Sequence, residues 1–178
     1  KNTWTKSLQI ENLVDEGEEY LFILKLHCGS ENLYYYTRIT LPEETYAKKC
    51  LEFTDQFHDV SMSDQYETLA SYLEPSEYTD KNDLGSVGID SSIDQIGWRG
   101  FNGTQIGKPL VSFTDINDTY ASLVYTYQME EQNDGVSTYY NVEEYYKVRY
   151  TDLQIYLLDY KRTMEQIVDV TFRKGEST

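Results

Sequence analysis

The sequence predicts an α+β fold in which an N-terminal three-stranded β-meander is followed by two helices packed on a curved antiparallel sheet. Three observations predict it. Near the N-terminus, polar glycine-containing links of hairpin length, Asp15-Glu16-Gly17-Glu18 and Gly29-Ser30-Glu31-Asn32, separate β-rich runs. Apolar residues then recur in steps of four and three at Tyr46, Cys50, Phe53, Phe57 and Val60, which is one buried helical stripe. Later, Tyr140, Val142, Tyr146, Val148 and Tyr150 alternate with Asn141, Glu143, Lys147 and Arg149, as in a strand with one buried and one wet face.

Taken in order, the meander is expected at residues 6–13, 19–28 and 33–41. Three strands alone are marginal, so they should lean on the helices and strands C-terminal to them. Pro42 suits the first turn of a helix, and Glu43 and Glu44 meet the positive end of its dipole. A second short helix, capped by Ser63, should turn Tyr66, Leu69, Ala70 and Leu73 inward and stop before Pro75. Residues 74–92 read as a long surface loop. In 93–108, Gly97, Gly100, Gly103 and Gly107 interleave with Trp98 and Phe101, suggesting bends and aromatic plugs. Strands are expected at 110–114 running on through 119–130, at 138–150 and at 153–160, and residues 164–172 form a last strand or short helix. The resulting division is an appendage at 1–41, a helix-plus-sheet domain at 42–172 and a polar tail at 173–178.

Composition narrows the functional classes. Thirty-one acidic residues against 15 Lys plus Arg give a net charge of −16, so polyanions are repelled and nucleic acid is excluded as a partner. No run approaches the ~20 apolar residues that span a bilayer, so no membrane insertion by this segment is expected. The start, Lys1-Asn2-Thr3-Trp4, has the look of a processed or excised piece. Cys28 and Cys50 belong to no CxxC, which leaves open both one bridge and two thiols acting as apolar fillers.

Reactive motifs are incomplete wherever they begin. The two histidines, His27 and His58, are not brought together by spacing, and His58, beside an apolar stripe, reads as structural. Asp80-Lys81-Asn82-Asp83-Leu84-Gly85 starts like a calcium loop, but Leu84 takes a ligand position and Ser91 stands where the bidentate Glu belongs. Asp115-Ile116-Asn117-Asp118 has no closing Glu, and both strings read as solvated turns. Gly85-Ser86-Val87-Gly88 lacks a nucleophile-elbow frame, and the glycines around Trp98 match neither a dinucleotide fingerprint nor a P-loop. Asn102-Gly103-Thr104 and Asn117-Asp118-Thr119 fit the N-glycosylation pattern. No metal and no cofactor is expected. The aromatic set Trp98, Phe101 and Tyr78 beside the long loop is a candidate ligand-binding surface, by stacking on a sugar or docking a partner; the competing reading is a core plug.

The order of two helices, a loop and long tyrosine-rich strands, from Pro42 to Phe172, resembles the nuclear-transport-factor-2-like (cystatin-like) fold, in which a bent sheet wraps a helix into a cone. That resemblance implies acid and base groups projecting into the cone, for which Glu144, Asp159 and Asp59 are the candidates, with raised pKa values among the tyrosines. Glu144 stands out because it falls on the otherwise apolar face of its strand; the competing reading places it near an edge or paired with Arg149 or Lys147. A second resemblance rests on the runs Tyr34-Tyr35-Tyr36-Thr37-Arg38-Ile39, Asp90-Ser91-Ser92-Ile93-Asp94-Gln95-Ile96-Gly97-Trp98, Val142-Glu143-Glu144-Tyr145-Tyr146-Lys147-Val148-Arg149-Tyr150 and Leu157-Leu158-Asp159-Tyr160-Lys161-Arg162-Thr163-Met164. They are similar to a region of large envelope-anchored proteins of anaerobic Gram-positive gut bacteria. This implies an extracytoplasmic location, anchorage through a segment outside this chain, and partners that are other domains of the same protein or an extracellular protein or glycan. The leading expectation is a non-enzymatic binding or scaffolding module; the alternatives are a cone-type isomerase or dehydratase using a buried carboxylate, and a carbohydrate-binding module.

Overall fold

The computed structural model describes residues 7, 9, 15, 18–40, 46–77, 82–133, 135–151 and 153–168. They form an α+β structure with a two-stranded sheet, β1 (Glu19–Cys28) and β2 (Glu31–Thr40), and a five-stranded antiparallel sheet. The second sheet comprises β3 (Ser86–Gly88), β4 (Gly103–Ile116), β5 (Ala121–Asn133), β6 (Val136–Tyr150) and β7 (Ile155–Gln166), in the order β3-β7-β6-β5-β4. One long helix, α1 (Ala47–Ser61), a 3-10 helix (Tyr66–Tyr72) and a short helix, α2 (Ile93–Ile96), complete it.

The N-terminal hairpin forms where the glycine-containing turn at Gly29 joins two runs of ten residues in full register, Glu19 opposite Thr40 and Cys28 opposite Glu31. The expected first strand, at 6–13, falls almost entirely outside the described residues, as do Pro42, Glu43 and Glu44 and the tail beyond 168. Both faces of the hairpin are apolar. Leu24, Leu26, Leu33 and Tyr35 share one face, and Leu21, Ile23, Tyr34 and Tyr36 share the other, with Leu21 and Tyr36 each 65 % exposed. The guanidinium of Arg38 ties β2 to β4, donating to the Thr114 carbonyl and to Asp115 at 2.9 Å.

On the five-stranded sheet, period-two alternation puts Leu123, Tyr125, Tyr127 and Met129 of β5 and Val142, Glu144, Tyr146 and Val148 of β6 on the inner face. The stripe of α1 lies against this face, with Cys50, Phe53 and Phe57 buried as the apolar spacing predicts. Phe57, fully buried, meets the rings of Tyr146 and Tyr160 at 5.7 and 5.2 Å. Bulges interrupt the register of β4 between Ile106 and Leu110 and that of β6 with β7 at Lys147 and Val148, where sheets commonly bend.

Several expectations need correction. The run at 110–130 is two strands, because Asn117 accepts the N–H groups of Thr119 and Tyr120 and turns the chain between β4 and β5. The 74–92 loop contains β3, which pairs with β7, and the 93–108 stretch contains α2, held by a reciprocal capping box of Ser92 and Gln95, and the start of β4. The second helix has three residues per turn, so Tyr66, Leu69 and Tyr72 line up and Ala70 is exposed. Cys28 is exposed and Cys50 buried, both as free thiols, and burial pushes the Cys50 thiol up. Among the described residues no helix is long and apolar enough to cross a membrane.

Candidate functional site

The site begins with a polar anomaly on each of two apolar surfaces. On α1, a residue one position after Phe57 still faces inward, and that residue is His58, 4 % exposed. On β6, Glu144 stands between Tyr125 of β5 and Arg162 of β7 in one cross-strand row, and it is fully buried. Helix and sheet bring the two together, with His58 Nδ1 2.7 Å from Glu144 Oε2.

The carboxylate has no vacancy. Oε2 also accepts the Tyr146 hydroxyl at 2.8 Å, and Oε1 accepts those of Tyr127 at 3.0 Å and Tyr160 at 3.3 Å. Four donors fill the roughly four acceptor positions of a carboxylate. Burial pushes Glu144 up, but the His58 hydrogen bond and charge, helped by Arg162, outweigh it and hold the carboxyl below its ordinary range. Burial likewise pushes His58 down, and the Glu144 hydrogen bond and charge reverse it to a net rise. The tyrosine hydroxyls are pushed up, first by burial and then by the Glu144 charge, so they remain neutral donors.

The other ring nitrogen bears on the charge of His58. Nε2 lies 2.9 Å from Gln105 Oε1, while the Gln105 amide nitrogen donates to the Gly107 carbonyl at 2.8 Å. With the amide oriented by that second bond, both imidazole nitrogens face acceptors, an arrangement that an imidazolium satisfies by donating from both. With both nitrogens protonated the pair is an imidazolium and a carboxylate, the form that the Glu144 charge favours, closed in by the rings of Tyr125 and Tyr127 at 5.6 and 5.0 Å.

Arg162, also fully buried, donates to the carbonyls of Gln95 and Ile96 at the end of α2, and its guanidinium lies 3.6 Å over the Trp98 ring. Trp98 holds a left-handed backbone, φ 58°, which is costly for a bulky side chain, and is 7 % exposed. Its Nε1 is buried without a partner among the described residues. The ring is therefore a plug of the second core cluster, with Tyr127, Met129 and Val142. Half-buried Phe101 packs beside it at 5.4 Å.

A cleft of about 350 Å³, open to solvent, runs along this region between Met62, Tyr66, Gly97, Phe101, Gln105 and Met129. The Tyr66 ring rests directly on Gly97, where any Cβ would collide with it. Gln105 thus lines the cleft on one side and touches His58 on the other.

The expected site residues are placed unevenly. Glu144 is buried, but its charge partner is His58 rather than Arg149 or Lys147, and its pKa moves down rather than up. Asp59 is exposed because it lies one helical step past the inward stripe. Asp159 is exposed because it pairs with Lys147 on the outer face, across the bulge at Leu158 from the inward-facing Leu157. Trp98 and Phe101 come together; Tyr78 lies outside the described residues. Sequence reasoning misses His58, Gln105 and Arg162 as members of the site. A signal for His58 is present, since it shares the helical face of Thr54 and Ser61. Among the described residues, no three His, Cys, Asp or Glu side chains are grouped to hold a metal. Asp80 and Lys81 of the acidic loop lie outside them, and Asp83 accepts the Gly85 N–H at 2.7 Å in a local turn. The chain matches no protein-family model, no curated protein and no solved structure.

Proposed function

We propose that this chain is a non-enzymatic binding or scaffolding module of a larger extracytoplasmic envelope protein, docking through its N-terminal hairpin. The observation that carries the reading is the apolar character of both hairpin faces, with Leu21, Ile23, Tyr35 and Tyr36 all more than half exposed. Contiguous apolar surface of this kind belongs to an interface. A ribbon apolar on both sides is suited to being sandwiched rather than laid on a core. The partner is another domain of the same envelope protein or a separate extracellular protein. A third strand from residues 6–13 along the β1 edge belongs to the same proposal, supported by the turn in which the Glu18 N–H donates to the Asp15 carbonyl. So does a cone-like bend of the larger sheet, supported by its bulges.

The saturation of Glu144 favours this reading over a cone-type isomerase, whose base needs a free lone pair and an approach path. A photo-crosslinker placed at Ile23 in the full-length protein on intact cells tests it. Crosslinks to a neighbouring domain or extracellular protein are expected, with none from the same probe at Glu143 on the polar outer face. Equal labelling from both positions would overturn it, as would turnover of a small molecule that disappears in Glu144→Gln.

A further inference from the structure

The geometry points to a protonation latch in which His58, through Gln105, holds the bulge of β4 and the wall of the cleft. It is independent of the docking role of the hairpin. The bulge is the three-residue interruption between Ile106 and Leu110, with Gly107 at φ 72°. Its tie to the core within this chain of contacts is the Gln105 side chain, which accepts from His58 Nε2 and donates to the Gly107 carbonyl. The amide can do both only while Nε2 carries a proton.

When that proton leaves, Nδ1 keeps its hydrogen and its bond to Glu144. The bare Nε2 lone pair then faces the Gln105 carbonyl oxygen, two acceptors at 2.9 Å. Half a turn of the amide about its last bond relieves this by presenting the NH₂ group to Nε2. The same turn directs the carbonyl oxygen at the Gly107 carbonyl and breaks the bond that tied the bulge. Protonated His58 therefore means a fastened bulge, and neutral His58 a released one.

The surroundings set where this happens. From β6, Glu144 favours the imidazolium; from α1, Asp59 adds a weaker pull in the same direction. From β7, Arg162 acts on Glu144, holding it ionised, and Tyr160 is neutral; from β5 and β6, Tyr125, Tyr127 and Tyr146 are neutral donors. Burial works against the charge, yet the balance lies above the ordinary imidazole value of 6.5.

The test is nuclear magnetic resonance of the whole chain across pH. His58 ring nitrogens report its protonation, the Gln105 side-chain NH₂ reports the amide turn, and exchange of the Ile106 and Leu110 amides reports the bulge. All three should change with one midpoint above pH 6.5. Protection at the bulge, corrected for intrinsic exchange, should fall by about three- to tenfold, the worth of one hydrogen bond. In Gln105→Leu, at a half-buried position, the bulge should exchange fast at every pH while His58 still titrates. A His58 that is neutral throughout, a Gln105 NH₂ signal that ignores the titration, or a wild-type pH dependence surviving in Gln105→Leu would each overturn the latch.

Discussion

Glu144 shows how a carboxylate on an apolar strand face is accommodated. A carboxylate in an apolar strand face is costly unless every lone pair is used, and here His58 and three tyrosines use them. Glu144→Gln would put an NH₂ group among these donors and leave the imidazolium unpaired. A loss of about 3–5 kcal/mol is expected in denaturant unfolding. Tyr146→Phe removes one donor to the buried carboxylate and should cost about 1.5–3 kcal/mol. The pH dependence comes from opposite shifts. Glu144 is held low, so its contribution is present above the ordinary value of 4.5 and fades as pH falls through its folded value. His58 is raised, so its contribution is complete below 6.5 and fades as pH rises through its folded value. Stability should therefore peak between these values in thermal unfolding, and the flanks attributable to the pair should vanish in His58→Ala. In the sequence, Glu144 is legible as an anomaly on its strand, and His58 as a polar residue beside a stripe. That they meet is not, because 86 residues separate them and only the packing of α1 on β6 closes the distance.

At the scale of elements, legibility tracks periodicity. The strand β1 and the body of α1 are readable because each runs long enough for its period to show. The elements that escape are short or irregular: β3 has three residues and α2 four, too few for any repeat. The spacing of Tyr66, Leu69 and Leu73 fits an α-helix, whereas the 3-10 helix that forms aligns Tyr66, Leu69 and Tyr72. Its contact with the Trp98 turn gives an element-level prediction. Gly97→Ala drives a methyl group into the Tyr66 ring and should cost about 1–3 kcal/mol, read by thermal unfolding. Arg38→Ala should leave global unfolding nearly unchanged. It removes the contacts to Thr114 and Asp115, so hydrogen exchange in β1 and β2 should quicken selectively.

The whole molecule divides its chemistry unevenly. Across Glu19–Thr40 there are two acids, Glu19 and Glu31, and two bases, Lys25 and Arg38, so the hairpin is neutral and the entire net charge of −16 lies elsewhere. Two such molecules repel at a distance and attract only once their ribbons touch. Dissolved salt shortens the reach of that repulsion to about 10 Å at 0.1 M, while leaving contact between apolar faces intact or slightly strengthened. Self-association through the hairpin should thus increase with ionic strength, the reverse of an interface built on opposite charges. Light scattering of the chain from low to high salt reads this directly, and Leu21→Glu with Ile23→Glu should abolish the rise. An excess of negative charge carried off the apolar ribbon acts as a colloidal spacer, so that copies of the molecule are held apart until salt lets their ribbons meet.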